Sequence, residues 1–527
     1  MKKCPTCGRN YIDETLNFCL EDGAPLIFAR STEPLTEVLP FPGPLTDHST
    51  RHFPTASAEN VESSNAIAVL PFVNMSRDED IDYFSDGLAE ELLNVLSKIR
   101  GLRVAARTSA FSFKGKQTTV TEIGRALNVA SVLEGSIRMS GKRIRISVQL
   151  VKASDGFYLW SRTYDRTLDD IFAVQDDIAR SVVTELRAML SDRGAITLTD
   201  SAVISEVADA VRGRADSPEA QRLMLLGRFF LDRTTLEDTD KAIDDFRRAL
   251  DIDPEFALCW AELGRAYSVQ AGRGWIPVAE GFDRAREAID RALALEPDLA
   301  EAHAQLGRVQ LTNDWDLKKA EVSYRRALEL APGSSSVLDG ASVLAYKLGR
   351  FDEALDLGRK VLLQDPLSAA FWHNLGLTAH AAGQLVESEK AFRRALEIVP
   401  QRFVSRALLA LVLMDEGQTE AALTEAASEP EEFWRLWALA ILHSLAGSTD
   451  ADAELERLVA EYWDGNAYQI AEVFAVRGET DHAFEWLERA YKERDSGVTH
   501  AKVNPRFRLL HDDPRWRAFL KNVGFEV

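Results

Sequence analysis

The chain has 527 residues, a formal net charge of −21 and 28% charged residues, with a sequence pI near 5.0. That length exceeds what one hydrophobic core organises, so several domains are expected. The acidity argues against non-specific binding of nucleic acid or of an anionic membrane surface by the chain as a whole.

Of the four cysteines, Cys4, Cys7 and Cys19 cluster at the N-terminus and Cys259 stands alone. This is not a disulfide framework. Residues 1–28 carry Cys4-Pro-Thr-Cys7-Gly8, then Cys19-Leu-Glu-Asp22-Gly23. A Cys-x-x-Cys turn brings two thiolates to one metal, and a carboxylate oxygen can complete a tetrahedral site. Cys4, Cys7, Cys19 and Asp22 are the expected ligands of a structural zinc ion. The motif resembles a short zinc ribbon, with Asp22 where the second knuckle would place a fourth cysteine. Lys2, Lys3 and Arg9 give too few cations for a strong nucleic-acid contact. Residues 29–64 hold Pro34, Pro40, Pro42, Pro44 and Pro54 without periodicity, which predicts a flexible linker.

Residues 65–195 predict an α/β domain. Ala66–Phe72 is a continuous apolar run and reads as a buried strand. Tyr83–Ile99 places Leu88, Leu92, Val95, Leu96 and Ile99 at helical spacing. A strand over Leu102–Ala106 and a helix over Val120–Leu127 follow. Ser131–Ile137 and Lys142–Val151 alternate around Ser140-Gly141 as a hairpin. Tyr158–Tyr164 is a further strand and Ile171–Leu190 a closing helix. The order implies a mixed sheet with helices packed on it. The runs IAVLPFVNMS, YFSDGLAEEL, LRVAARTSAFSFKGK and VASVLEGSIRMSGKRIRISVQLV resemble the TolB-type, or FlgO-like, amino-terminal domain. That resemblance implies a sensory or assembly role and carries no catalytic set. Arg107, Thr108, Lys114 and Lys116 lie near a strand end, where open α/β sheets place ligands, and are a candidate anion site.

After a polar connector over residues 196–216, a cadence begins. FRRALDIDP, RALALEP, YRRALELAP, RKVLLQDP and FRRALEIVP end at Pro254, Pro297, Pro332, Pro366 and Pro400, spaced 43, 35, 34 and 34 residues apart. A period near 34 with paired helices resembles a tetratricopeptide array. The array is expected over residues 217–495, with residues 496–527 as its polar cap. Within it Trp260, Trp372 and Phe392 are expected in the core. Each of three successive units carries Leu-Gly-Arg, and Arg228, Arg265 and Arg308 fall where the first helix of a unit faces the concave wall. With His373 and His380 they form a candidate groove for an acidic or extended peptide, because guanidinium groups pair with carboxylates. The competing expectation is that these arginines are solvated or pair within the chain.

The sequence contains no H-E-x-x-H, no G-x-S-x-G and no phosphate-binding glycine motif. The expectation is a non-enzymatic cytoplasmic adaptor of a bacterium-like cell, without a signal peptide or membrane span, that binds protein partners. The alternative is a sensor whose α/β domain takes a nucleotide or other small anion and relays this to the array.

Overall fold

A computed structural model describes residues 65–76, 80–99, 101–140, 143–167, 171–191, 207, 215, 217–233, 235–402 and 404–526, together with three short strands nearer the N-terminus. The chain divides into two units, Met1–Ala56 and Ser57–Val527. In the first, β1 (Lys2–Lys3) pairs antiparallel with β2 (Asn10–Tyr11) and with β3 (Ile27–Phe28). The expected ligands Cys4, Cys7, Cys19 and Asp22 lie outside the described residues, as does the linker.

The second unit opens with a mixed sheet. β4 (Ala66–Val69) runs parallel to both β6 (Arg103–Val104) and β7 (Ser131–Ser140). Flanked on both sides and covered on both faces, β4 is buried at every position, which is why it reads as an unbroken apolar run. Pro71 lacks an N–H, and pairing resumes only at β5 (Val73–Asn74), alongside β7. β7, β8 (Arg143–Lys152) and β9 (Tyr158–Thr167) form an antiparallel meander.

Four helices complete the α/β part: α1 (Asp80–Ser97), α2 (Arg107–Phe111), α3 (Val120–Leu127) and α4 (Ile171–Ser191). Ile67 and Val69 meet α1 and α4 on one face of the sheet. Ala66 and Ala68 meet Ile123 and Leu127 of α3 on the other. A capping box fixes the start of α3, with Thr119 N–H donating to Glu122 Oε2 at 2.8 Å.

Helix pairs follow. They are α5 (Pro218–Leu231) with α6 (Leu236–Ile252), α7 (Ala257–Gly272) with α8 (Val278–Leu295), and α9 (Ala300–Val309) with α10 (Leu317–Leu330). Next come α11 (Ser335–Leu348) with α12 (Phe351–Gln364), α13 (Ala369–Ala381) with α14 (Leu385–Ile398), and α15 (Ser405–Asp415) with α16 (Thr419–Ala427). The series continues with α17 (Glu432–Ala446) and α18 (Asp450–Tyr462), then α19 (Ala467–Val476) and α20 (Thr480–Lys492).

Packing within a pair turns on a glycine in its first helix. A Cβ at Gly227 would sit 2.5 Å from the Phe246 ring, at Gly264 2.7 Å from Ile289, at Gly307 2.9 Å from Tyr324 and at Gly376 2.9 Å from Phe392. Phe392 is core as expected. Trp260 and Trp372 are only partly buried. Each indole N–H donates to the carbonyl of the proline that closed the preceding unit, Pro254 or Pro366, at 2.9 Å. These tryptophans brace successive pairs from the side, which their polar N–H requires.

The end of the chain does more than cap the last pair. Two 3₁₀ segments, Ser496–Val503 and Pro505–Leu510, and α21 (Pro514–Val523) share one core with Trp315, Leu317 and Tyr324. After α9 a π turn over Gln310–Asp314 ends at Trp315, which is left-handed at φ 58°. A bulky residue there is strained. Trp315 is held by the Tyr491 ring, with centroids 5.8 Å apart, and by the Arg494 guanidinium 4.0 Å above its face.

Candidate partner-binding groove

The first helices of the pairs stand side by side and form the inner wall. In α5, α7 and α9 the residue after the packed glycine is arginine. One residue advances a helix by about 100°, so the side chain turns away from its own partner helix and onto the wall.

Arg228 is 6% exposed. Its Nε donates to Glu262 Oε1 at 3.0 Å, and Nη1 lies 3.3 Å from Glu91 and 3.9 Å from Glu90. Glu90 and Glu91 belong to α1, so the α/β part is seated on the wall. Arg265 donates to Glu262 at 2.9 Å and pairs with Asp232 at 3.3 Å. Asp232 pairs with Arg107 at 2.7 Å, and Arg107 with Glu90 at 2.8 Å. Six side chains of alternating sign thus close a ring: Arg228, Glu262, Arg265, Asp232, Arg107 and Glu90.

The ring sets its own protonation states. Burial opposes charge on Arg228, but Glu262, Glu90 and Glu91 outweigh it and raise its pKa. Burial likewise favours the neutral form of Glu262, yet Arg228 and Arg265 hold its pKa below the ordinary value. Glu90 is pushed up by burial, against Arg107 and Arg228. A buried charge survives only with partners of this kind.

Arg308, the third arginine of the wall, is exposed, and its guanidinium makes no hydrogen bond or ion pair among the described residues. It faces a cavity of about 690 Å³ between α1 and the wall, which Lys98, Gln305 and Phe371 also line. Other contacts fasten the α/β part to the turn between α12 and α13 and to α9. Ala106 N–H donates to Gln364 O at 2.8 Å, and Leu367 N–H to Ser109 Oγ at 2.9 Å. Lys98 lies 3.6 Å from Glu301.

The four residues expected to form an anion site are split. Arg107 and Thr108 line the cavity beside the wall. Lys114 and Lys116 line a separate cavity of about 650 Å³ on the sheet, where Lys114 pairs with Asp86 at 2.5 Å. Arg107 and Thr108 open the short helix α2, whereas Lys114 and Lys116 follow it, and no single cavity is lined by all four.

The two histidines are not open groove positions. His373 is buried, with Nδ1 2.8 Å from Ser405 Oγ and its ring edge-on to Phe392. Burial lowers its pKa to about 3. His380 is buried with Nε2 2.7 Å from Asp415 Oδ2, and burial lowers its pKa against the pull of Asp415. Further along, the first 3₁₀ segment lies on the wall. His500 Nδ1 is 3.3 Å from Tyr346 Oη, and Lys347 bonds Thr499.

Sequence reasoning missed the carboxylates Glu90, Glu91, Asp232 and Glu262. The adjacent pair Glu90-Glu91, in a helix whose other face is apolar, was the available signal.

Family models for tetratricopeptide repeats match residues 234–256, 279–335 and 341–403. These helix pairs are tetratricopeptide repeats. Residues 63–181 match a model described as the second domain of HilA/YgeH-like transcriptional regulators, where the sequence suggested a TolB-type domain. A putative adenylate cyclase 3 of Rhizobium meliloti (strain 1021) is 38% identical over 216 residues, 40% of this chain and 35% of that protein. A cellulose synthase operon protein C of Pseudomonas fluorescens (strain SBW25) is 26% identical over 186 residues, 33% of this chain and 14% of that protein. The chain therefore spans about a third or less of the length of these curated relatives. Among solved structures, Pseudomonas aeruginosa PilF has a TM-score of 0.32 at 22% identity, covering 39% of this chain and 91% of its own. YrrB, a tetratricopeptide protein with a peptide-binding site, has a TM-score of 0.30 at 19% identity, covering 37% and 96%. Among the described residues no helix is long and apolar enough to cross a membrane.

Proposed function

We propose that the chain is a non-enzymatic bacterial adaptor in signalling or assembly, which recognises a protein partner through the inner wall of its tetratricopeptide array. The observation that carries this reading is the row of Leu-Gly-Arg arginines on one wall, with Arg308 still exposed. A wall of guanidinium groups selects carboxylates. The α/β domain, read as a TolB-type module, is the sensory or assembly element. The names of the matched regulator family and of the cyclase relative support a module that joins different outputs. A cytoplasmic location belongs to the same reading.

The test is co-purification of partners with the full chain and with Arg265→Glu/Arg308→Glu. Loss of a partner in the variant supports the wall as the recognition surface. Retention of every partner overturns it.

A second reading is favoured by the 690 Å³ cavity at the junction of domain and array. There a nucleotide or other small anion on Arg308 and Lys98 would bridge the two parts. A nucleotide panel that leaves the melting temperature of the full chain unchanged removes this reading. We also propose a structural zinc ion on Cys4, Cys7, Cys19 and Asp22. Three thiols and a carboxylate suit zinc chemically, and such an ion supplies folding energy to a segment of this size.

A further inference from the structure

The inner wall of the first three repeats already holds an occupant, and the chemistry of that occupant specifies what else fits. We infer that this wall is a docking groove for an acidic helix, and that α1 is a cis occupant which an external helix must displace. The inference rests on the reading that the array recognises a protein partner, and it names the partner's chemistry and its regulation.

Arg228 is nearly sequestered from water. The next repeat offers Glu262 from α7, and α1 offers Glu91 at 3.3 Å and Glu90 at 3.9 Å. An apolar helix seated in place of α1 would strip these carboxylates from a buried guanidinium and leave it with Glu262 alone, which is strongly unfavourable. A replacement must therefore bring adjacent carboxylates of its own. It must also approach closely. Gly87 lies on Leu225 of α5, and a Cβ built at Gly87 would be 3.1 Å from the Leu225 Cβ. A small residue one turn before the acidic pair is thus part of the specification.

The cis occupant does not exhaust the wall. The Arg308 guanidinium makes no hydrogen bond or ion pair among the described residues, and about 690 Å³ remains open beside it. A helix with a third acidic residue reaching Arg308 gains a contact that α1 does not make. The seat combines ion pairs and hydrogen bonds with small apolar contacts at Leu225 and Leu367, and such a mixed interface suits reversible domain docking.

The experiment uses the full chain and a fluorescein-labelled synthetic peptide of residues 80–97. Glu90→Gln/Glu91→Gln weakens the cis seat and leaves the wall intact. Gly87→Cys/Leu225→Cys places two thiols whose Cβ atoms, 3.1 Å apart, reach disulfide range after a shift of about 0.5 Å, so that a disulfide locks the seat. Circular dichroism checks that both variants keep their helix content. The Gln variant is expected to bind the peptide about tenfold more tightly than the unsubstituted chain. The oxidised cysteine variant is expected to lose binding, and reductant to restore it. A peptide carrying the same two Gln changes is expected to bind at least about tenfold more weakly. Equal binding by oxidised and reduced forms, or no binding by the Gln variant, overturns the inference. Partners that co-purify equally with locked and unlocked chains also overturn it, while leaving recognition elsewhere on the array standing. Absence of any partner removes the broader reading instead.

Discussion

Arg506 and Asp415 face each other across 91 positions of sequence, with Nη1 2.9 Å from Oδ1 and Nη2 2.6 Å from Oδ2. This bidentate pair pins the second 3₁₀ segment to the end of α15. Arg506 Nη2 also donates to Leu411 O at 3.3 Å, and Asp415 is shared with His380 at 2.7 Å. This contact closes the C-terminal segment onto α13 and α15. Arg506→Met keeps the aliphatic volume but leaves Asp415 with a neutral partner. A loss of about 2–3 kcal/mol is expected, below the range for a fully buried pair because Asp415 keeps some solvent contact. The urea midpoint of the full chain measures it, and an unchanged midpoint would show that the closure contributes nothing.

Gly376 is expected to resist enlargement. An added Cβ would lie 2.9 Å from the fully buried Phe392 ring. Gly376→Ala must push that ring or spread α13 from α14. Alanine has the better helix propensity, so a helix-only account predicts stabilisation. Overpacking predicts a loss of about 1–3 kcal/mol. The sign of the change in thermal midpoint decides between them.

Glu472 gives the fold a specific pH dependence. It accepts from Trp437 Nε1 at 3.1 Å and from Asn504, and burial raises its pKa from 4.5 to about 8. Between these values the folded chain keeps a proton that the unfolded chain releases. Stability attributable to this group is therefore full below pH 4.5 and falls as pH rises toward 8. Glu472→Gln is expected to flatten the decline of the urea midpoint between pH 5 and pH 7, a range roughly within the two values. A parallel decline in the variant would assign the effect to other groups.

Zinc content tests the N-terminal proposal. The purified full chain is expected to carry about one equivalent of zinc by atomic emission, as a single tetrahedral site requires. Cys19→Ser is expected to reduce it below the native level after mild chelation. Asp22→Ala measures whether the carboxylate completes the site. Metal-free protein from zinc-supplemented growth would end the proposal.

Much of the fold is legible from local pattern. The run at Ala66–Val69, the alternation in β8 and the recurrent small-large spacing before each closing proline are short-range signals. They follow from which face of a strand or helix must leave water. The pairing of Gly227 with Phe246, or Gly376 with Phe392, is equally local, because both members belong to one hairpin. The burial of His373 and His380 escapes local pattern, because exposure on a repeat depends on what lies across the wall.

Three of the chain's five Leu-Gly-Arg tripeptides, those that fall at the same place in successive units, mark where sequence stops. Arg228, Arg265 and Arg308 share the same neighbours, and sequence by itself determined that all three stand on the inner wall. Only the tertiary structure decided that the first is buried among carboxylates, the second partly buried in the same ring and the third open to a cavity. The reason is the range of the interaction. Glu91 is 137 residues from Arg228, and no local pattern encodes which distant carboxylate arrives. Helix and hairpin are dictated by neighbours in the chain, whereas the environment of a charge is set by whatever the folded chain brings beside it.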